Sequence, residues 1–293
     1  MQIGVISRSD AEGWGLTQLR DSLDRKGVTS VFLSFPSLLA KVACGPVVQS
    51  RDLNVASNVN ALFIRSVGHG SLEEIIFRMD LLQKLEREQV YVVNPTKAIE
   101  RCVDKYYALT LLEENNLPVP RTIVTESVEA AIEGFNELGQ DVVIKPIFGA
   151  RGVGLARISD LSIAERVFST IRFHHGILYV QEYIAHGDSD IRAFVVDDHV
   201  VAAMRRVSDS WKTNISQGAV PHAIHLSDEL ETLATRAAKA IDCKIAGVDI
   251  LEGANGPFVI EINSQPGWMG LQSVTQTNIA DSIVDFIISA ARK

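Results

Sequence analysis

Sulfur is scarce in this 293-residue chain: its three cysteines, Cys44, Cys102 and Cys243, are odd in number, far apart and without metal-binding spacing. That argues against a disulfide framework or a zinc ribbon, and suits a reducing cytoplasm in which the three act as small buried hydrophobes. Long apolar runs are also missing. The most hydrophobic late stretch, 283–291, is interrupted by Asp285 and reads as an amphipathic terminal helix, so no membrane span is expected. The first apolar run, 3–6, starts too early for a secretory leader to precede it. Basic charge falls short as well. Lys and Arg number 28 against 36 Asp and Glu, and the net charge of −8 argues against a generic nucleic-acid binder. Three motifs are absent: the turn at 7–15 lacks G-x-G-x-x-G, no G-K-[ST] follows a glycine-rich loop, and His222 and His225 belong to no H-E-x-x-H helix. A dinucleotide fingerprint, a Walker A loop and a zincin site are therefore unsupported.

What is present is a rhythm that changes part-way. Strand signals at 2–7, 29–34, 61–65 and 91–93 alternate with helical ones at 15–26 and 72–88, which predicts a small parallel α/β layer. Residues 96–116 read as one helical stretch, ending before Leu117-Pro118-Val119-Pro120. Beyond that hinge the pattern becomes α+β. Strands are predicted at 121–124, 142–146, 154–158 and 178–183, helices at 128–138, 163–173 and 229–241, and a hairpin over 191–206.

The richest segment is 246–266. Two apolar runs, 247–251 and 258–262, flank Gly253-Ala254-Asn255-Gly256, a hairpin signal. Folding about Asn255 brings Asp249 opposite Glu261 to within one residue, with Asn263 on the same side of the strand as Glu261. Facing carboxylates repel, and burial among Val and Ile adds a further cost; a divalent cation removes both. The oxygen donors Asp249, Glu261 and Asn263 suit a hard ion such as Mg²⁺ or Mn²⁺ that also holds substrate phosphates. A solvated hairpin carrying ordinary surface acids accounts for the same residues. On the metal reading, neutralising either carboxylate should leave the fold intact or even stabilise the metal-free protein.

A second segment pairs the apolar strand ending in Lys145 with a glycine-rich loop, 148–154, that leads into another strand. Glycines let backbone N–H groups approach an anion, and a nearby Lys caps phosphate oxygens. A plain turn beside a snorkelling Lys is the competing account. The segment 179–184 mixes apolar residues with acceptors and could offer backbone groups to an adenine edge.

Asp104-Lys105-Tyr106, Ile144-Lys145-Pro146 with its loop, Gln181-Glu182-Tyr183-Ile184, Asp190-Ile191-Arg192, Met204-Arg205-Arg206, Thr213-Asn214, Val248-Asp249 and Glu261-Ile262-Asn263 follow one another in a specific order. That order and spacing resemble the ATP-grasp superfamily, most closely its RimK-like α-L-glutamate ligases, over nearly the whole chain. The resemblance implies an ATP-grasp fold, α/β and α+β, with a Rossmann-like N-terminal domain at 1–95, a central lobe at 96–184 and a C-terminal lobe with the metal site at 185–293. It implies ATP with Mg²⁺ or Mn²⁺, two ions, as cofactors. Lys105 and Lys145 would contact the nucleotide, with Gly149, Arg151, Gly152 and Gly154 of the loop. Glu182, Tyr183 and Ile184 would line the adenine pocket, and Asp190 would sit near the ribose or the substrate. Asp249, Glu261 and Asn263 would hold the ions, Glu261 bridging them.

Arg205, Lys212 and Asn214 would flank the reacting carboxylate, with Arg205 stabilising the developing oxyanion. Related ligases often carry Arg where this chain has Lys212, which replaces a planar fork with a point charge. Arg8 and Arg65, at C-terminal ends of strands in the first layer, would bind the acceptor. The implied reaction joins L-glutamate to an acceptor carboxylate through an acyl phosphate. The segments 204–206, 211–214 and 217–219 resemble pterin- and coenzyme-directed members, so a small cofactor such as a tetrahydromethanopterin-like pterin is the expected acceptor. The alternatives are a protein tail, a D-alanine–D-alanine-type reaction, or a non-catalytic ATP-binding regulator. A cytoplasmic dimer or tetramer is expected.

Overall fold

Strands Gln2–Ser7, Ala61–Ile64 and Tyr91–Val93 are short apolar runs, and with Thr29–Ser34 they form the predicted parallel sheet. The strand order is Thr29–Ser34, Gln2–Ser7, Ala61–Ile64, Tyr91–Val93. The computed structural model describes residues 1–7, 13–149 and 152–292. Helix Leu72–Arg87 starts where the sequence indicates, because Ser71 and Glu74 form a reciprocal capping box. Unanticipated is a small antiparallel sheet of Leu39–Ala40, Val48–Ser50 and Leu53–Asn54.

The next sheet is antiparallel, in the order Ala156–Ile158, Val142–Lys145, Leu178–Glu182, Thr122–Thr125. Helices Val128–Glu137 and Leu161–Phe173 cover it through Phe135 and Phe168, both fully buried.

The largest sheet is five-stranded and antiparallel, in the order Val220–Ile224, His199–Val207, Ser189–Val196, Ile245–Gly253, Gly256–Asn263. One face packs on helices Thr96–Val103, Lys105–Glu114 and Asp228–Ile241. The other, through Phe194, Val196 and Met204, meets Ile3 and Val5 of the first layer and the C-terminal helix Ile279–Ala290. Two sequence expectations change here. The stretch 96–116 is two helices, because Asp104 ends the first and caps the second, accepting from the N–H groups of Tyr106 at 2.9 Å and Tyr107 at 3.0 Å. Both helices bury their apolar faces on the five-stranded sheet, so in packing terms the central lobe begins near residue 121 rather than 96.

Asn94 ties the first layer to the largest sheet. It is fully buried, and its Nδ2 donates to the carbonyls of Ile245 at 2.7 Å and Ser264 at 2.6 Å. Its Oδ1 accepts from the N–H groups of Lys244 at 2.7 Å and Ile245 at 2.8 Å.

Candidate functional site

The acidic hairpin forms in the expected register. Asp249 pairs directly with Glu261 and Gly247 with Asn263. Gly256 takes the left-handed φ of +115° that closes the turn. The ladder slips beside Asp249, leaving an extra residue on the strand that carries Glu261, a bulge of the kind that re-aims side chains near active sites.

Alternation along the strands decides which side chains reach the cleft between the four-stranded and five-stranded sheets. Asp190, Arg206, Asp249 and Glu261 line it; Arg205 does not. Arg205 lies one residue from Arg206 and so projects from the opposite face, where it donates to Glu252 Oε2 at 2.7 Å and Ser189 Oγ at 3.2 Å. The cleft-facing cation is Arg206, which grips Asp190 with a two-point fork and lies 3.2 Å from Asp249 Oδ2. Counting back from the turn at Asp197-Asp198 would pair Asp190 with Arg205; a bulge between Phe194 and Val195 shifts the register by one and brings Arg206 opposite Asp190 instead.

Arg192, directly across the ladder from Asp249, was also missed as a partner. Its Nη2 donates to Asp249 Oδ2 at 2.7 Å while Nε reaches Oδ1. Burial pushes the Asp249 carboxyl up, but Arg192 and Arg206 outweigh burial and hold it below the ordinary carboxylate range. The repulsion expected between Asp249 and Glu261 is thus answered by the protein's own guanidiniums.

The opposite wall of the cleft assembles around the antiparallel sheet that contains Val142–Lys145. Lys145 ends its strand half-buried in the cleft, and burial pushes its ammonium down to about 8. The nearby charge of Glu261 opposes that shift, and Lys105 adds to it. Lys105, at the first position of its helix, donates to the Gly149 carbonyl at 2.7 Å and lies 3.8 Å from Glu261. Gly152 has φ +73°, and a Cβ there would stand 2.4 Å from Asn214 Oδ1. The loop therefore rests on Asn214 at a point where only glycine fits.

Tyr183 and Ile184 line the same cleft, as do Lys212 and Asn214. Arg157, forked to Asp141, sits 3.5 Å from the Tyr183 ring. Glu182 lines the cleft too, but its carboxylate is held by Arg121 through N–H at 2.8 Å and Nε at 2.7 Å. The Glu182 carboxylate is thus already engaged by Arg121.

Other expected residues stand apart. Gly154 and Asn263 are not on the cleft wall, and Arg65 lies over the Trp268 ring at 4.7 Å with Nη1 3.4 Å from the Gln265 carbonyl. Arg8 and Arg151 lie outside the described residues. As a cation site, the donors are all oxygen, Asn263 contributing its amide carbonyl, and among the described residues its buried Nδ2 has no partner. Among the described residues no group of three or more His, Cys, Asp or Glu could hold a metal ion. The set fits a hard cation that takes its remaining ligands from phosphate and water.

Comparison with known proteins gives a family and a fold. A model of the RimK-like ATP-grasp domain matches residues 102–287. The chain is 32% identical over 298 residues to a tetrahydromethanopterin:alpha-L-glutamate ligase of Methanococcus maripaludis, covering 100% of each. It is 38% identical over 237 residues to the ligase of the same description from Methanocaldococcus jannaschii, covering 78% of this chain and 79% of the other. Among solved structures, the RimK domain protein ATP-grasp of Sphaerobacter thermophilus superposes with a TM-score of 0.76 at 20% identity, covering 98% of this chain and 100% of that one. The ATP-grasp ligase PsnB in complex with its minimal precursor superposes with a TM-score of 0.78 at 22% identity, covering 98% of each.

Proposed function

This chain belongs to the RimK-like ATP-grasp family, and we propose that it is an ATP-dependent ligase that joins L-glutamate to the carboxylate of a small pterin acceptor. The observation that carries this reading is the end-to-end match to the methanogen ligase, together with one cleft that gathers Lys105, Lys145, Asp249, Glu261 and Asn214.

Lys145 and Lys105 bind the ATP phosphates, and the backbone beside Glu182 holds the adenine. Mg²⁺, or Mn²⁺ in its place and two ions in the fullest form, would be held by Glu261, by Asn263 and by Asp249 once it parts from Arg192. When bound, it supplies charge neutralisation on the phosphates. An acceptor carboxylate oxygen attacks the γ-phosphorus, giving an acyl phosphate and ADP. The glutamate amine then attacks the acyl carbon, forming the amide and releasing phosphate. Positioning and electrostatics carry both steps, with Arg206 in the role expected of Arg205. The glycine loop resting on Asn214 keeps water from the acyl phosphate. A domain layout of 1–95, a central lobe and a C-terminal lobe, a cytoplasmic location and a homo-oligomer complete the proposal.

The test supplies ATP, Mg²⁺, L-glutamate and tetrahydromethanopterin to the purified protein and follows products by mass spectrometry. A pterin heavier by one glutamyl unit, formed together with ADP, is expected. Glutamylation of a protein C-terminus without a pterin product would overturn the acceptor. Absence of ADP release with every carboxylate tried would overturn the ligase reading for this chain.

A further inference from the structure

Cys102 and Cys243, 141 residues apart in sequence, meet in the fold with their sulfurs 3.4 Å apart. Cys102 stands in the last turn of helix Thr96–Val103, and Cys243 follows the residue that caps helix Asp228–Ile241. Both backbones are held where they are. Arg101 Nη1 donates to the Ile241 carbonyl at 3.1 Å, and the Cys243 N–H donates to Ala238 at 2.9 Å. Cys243 is 2% exposed, whereas Cys102 keeps partial access to solvent. The proposed ligase chemistry uses neither thiol.

We propose that Cys102 and Cys243 are a dithiol–disulfide pair, oxidised by exchange with small-molecule disulfides such as glutathione disulfide. Closing the bond requires an S–S distance of about 2.0 Å, so the sulfurs approach by roughly 1.4 Å, within reach of side-chain rotation and a small shift of a helix end. The hydrogen bond with Cys102, together with burial, pushes the Cys243 thiol up and leaves it protonated, so the more accessible Cys102 enters first. Its thiolate attacks glutathione disulfide, forming a mixed disulfide and expelling one glutathione thiolate. The Cys243 sulfur then attacks Cys102 Sγ and expels the second glutathione, which takes the Cys243 proton. Two protein thiols are oxidised and one glutathione disulfide is reduced. This proposal stands independently of the substrate assignment.

The test incubates the full-length Cys44→Ser variant with graded ratios of oxidised to reduced glutathione and maps tryptic peptides without reduction. The expected result is a chain lighter by two hydrogens and a peptide linking Cys102 to Cys243, both reversed by dithiothreitol. The oxidised protein should also melt at a higher temperature than the reduced one, because the link closes a long loop in the unfolded chain. The exposed Cys44 of the unaltered chain reports whether the oxidant is strong enough. Should Cys102 persist as its glutathione adduct, or both thiols stay free at ratios that fully modify Cys44, the proposal fails.

Discussion

Arg192 grips Asp249 from directly across the sheet, with Nη2 2.7 Å from Oδ2 and Nε on the other oxygen. A carboxylate proposed to receive a cation is therefore already neutralised by a guanidinium, with Arg206 as a second partner at 3.2 Å.

The expectation that Asp249→Asn leaves the fold intact is revised by this pairing. Removing the charge strands Arg192 and takes one of two carboxylates from Arg206, and breaking a buried pair from one side costs on the order of 3 kcal/mol. Asp249→Asn should lose turnover and unfold at lower denaturant. Glu261→Gln should lose turnover alone, because Glu261 is partly exposed and its cation, Lys105, is 3.8 Å away. Its stability should change by less than about 1 kcal/mol. Urea melts alongside an ADP-release assay separate the two, and equal destabilisation by both variants would contradict the assigned pairing.

Arg205 and Arg206 should part company in the same assays. Arg205→Ala removes a half-exposed pair with Glu252 and should alter kcat/KM by no more than a few-fold. Arg206→Ala leaves Asp190 and Asp249 without their shared partner and should cost about 3 to 5 kcal/mol of stability, with loss of turnover. Comparable kinetics for the two variants would put the wrong face of the strand in the cleft.

Gly152→Ala should damage ATP binding more than folding. The substitution meets a positive φ and Asn214 Oδ1 at 2.4 Å, so the loop must leave its resting place. A left-handed penalty of roughly 1 to 2 kcal/mol, expressed in the bound state, corresponds to about a tenfold loss of affinity. Gly187→Ala is the control: its φ is +71°, but a Cβ there meets nothing within 4 Å. Isothermal titration with a non-hydrolysable ATP analogue distinguishes them.

Lys145 should make nucleotide binding depend on pH. Its ammonium is pushed down to about 8 from 10.5, so in the nucleotide-free protein it loses its proton as pH rises through 8. Affinity for the ATP analogue should fall over that range and flatten in Lys145→Met. Between 8 and 10.5 the unfolded chain holds more protons than the folded one, so the stability of the nucleotide-free protein should rise with pH there. Affinity measured between about pH 6.5 and 9.5 checks the first statement, and melts over the same range check the second.

Much of this was legible in the sequence because the signals were local. The strands Gln2–Ser7 and Thr29–Ser34 bracket their apolar runs by a residue or two, and the turn at 253–256 brings Asp249 to within one residue of Glu261, with the bulge beside Asp249 completing the pairing. The small sheet at 39–54 was not legible, since strands of two or three residues are too short to show alternation. Neither was Arg192 as the partner of Asp249. That pair depends on the register between two strands 57 residues apart, and the sequence offered only the like-charge neighbour across the hairpin turn. The meeting of Cys102 with Cys243 depends on two helices docking at their ends, which no spacing rule encodes.

The four hydrogen bonds of Asn94 reach beyond stability. They fasten the end of the first layer to the residues leading into the Asp249 strand and to the carbonyl of Ser264 just past Asn263. The first layer and the five-stranded sheet are therefore packed and hydrogen-bonded as one unit. The four-stranded sheet, which carries Lys145 and the glycine loop, has a core of its own and no comparable clamp among the described residues. The proline-flanked stretch Leu117-Pro118-Val119-Pro120 leads from the helices of the first unit into this separate lobe, so Lys145 and the glycine loop reach the carboxylates from a body with its own core.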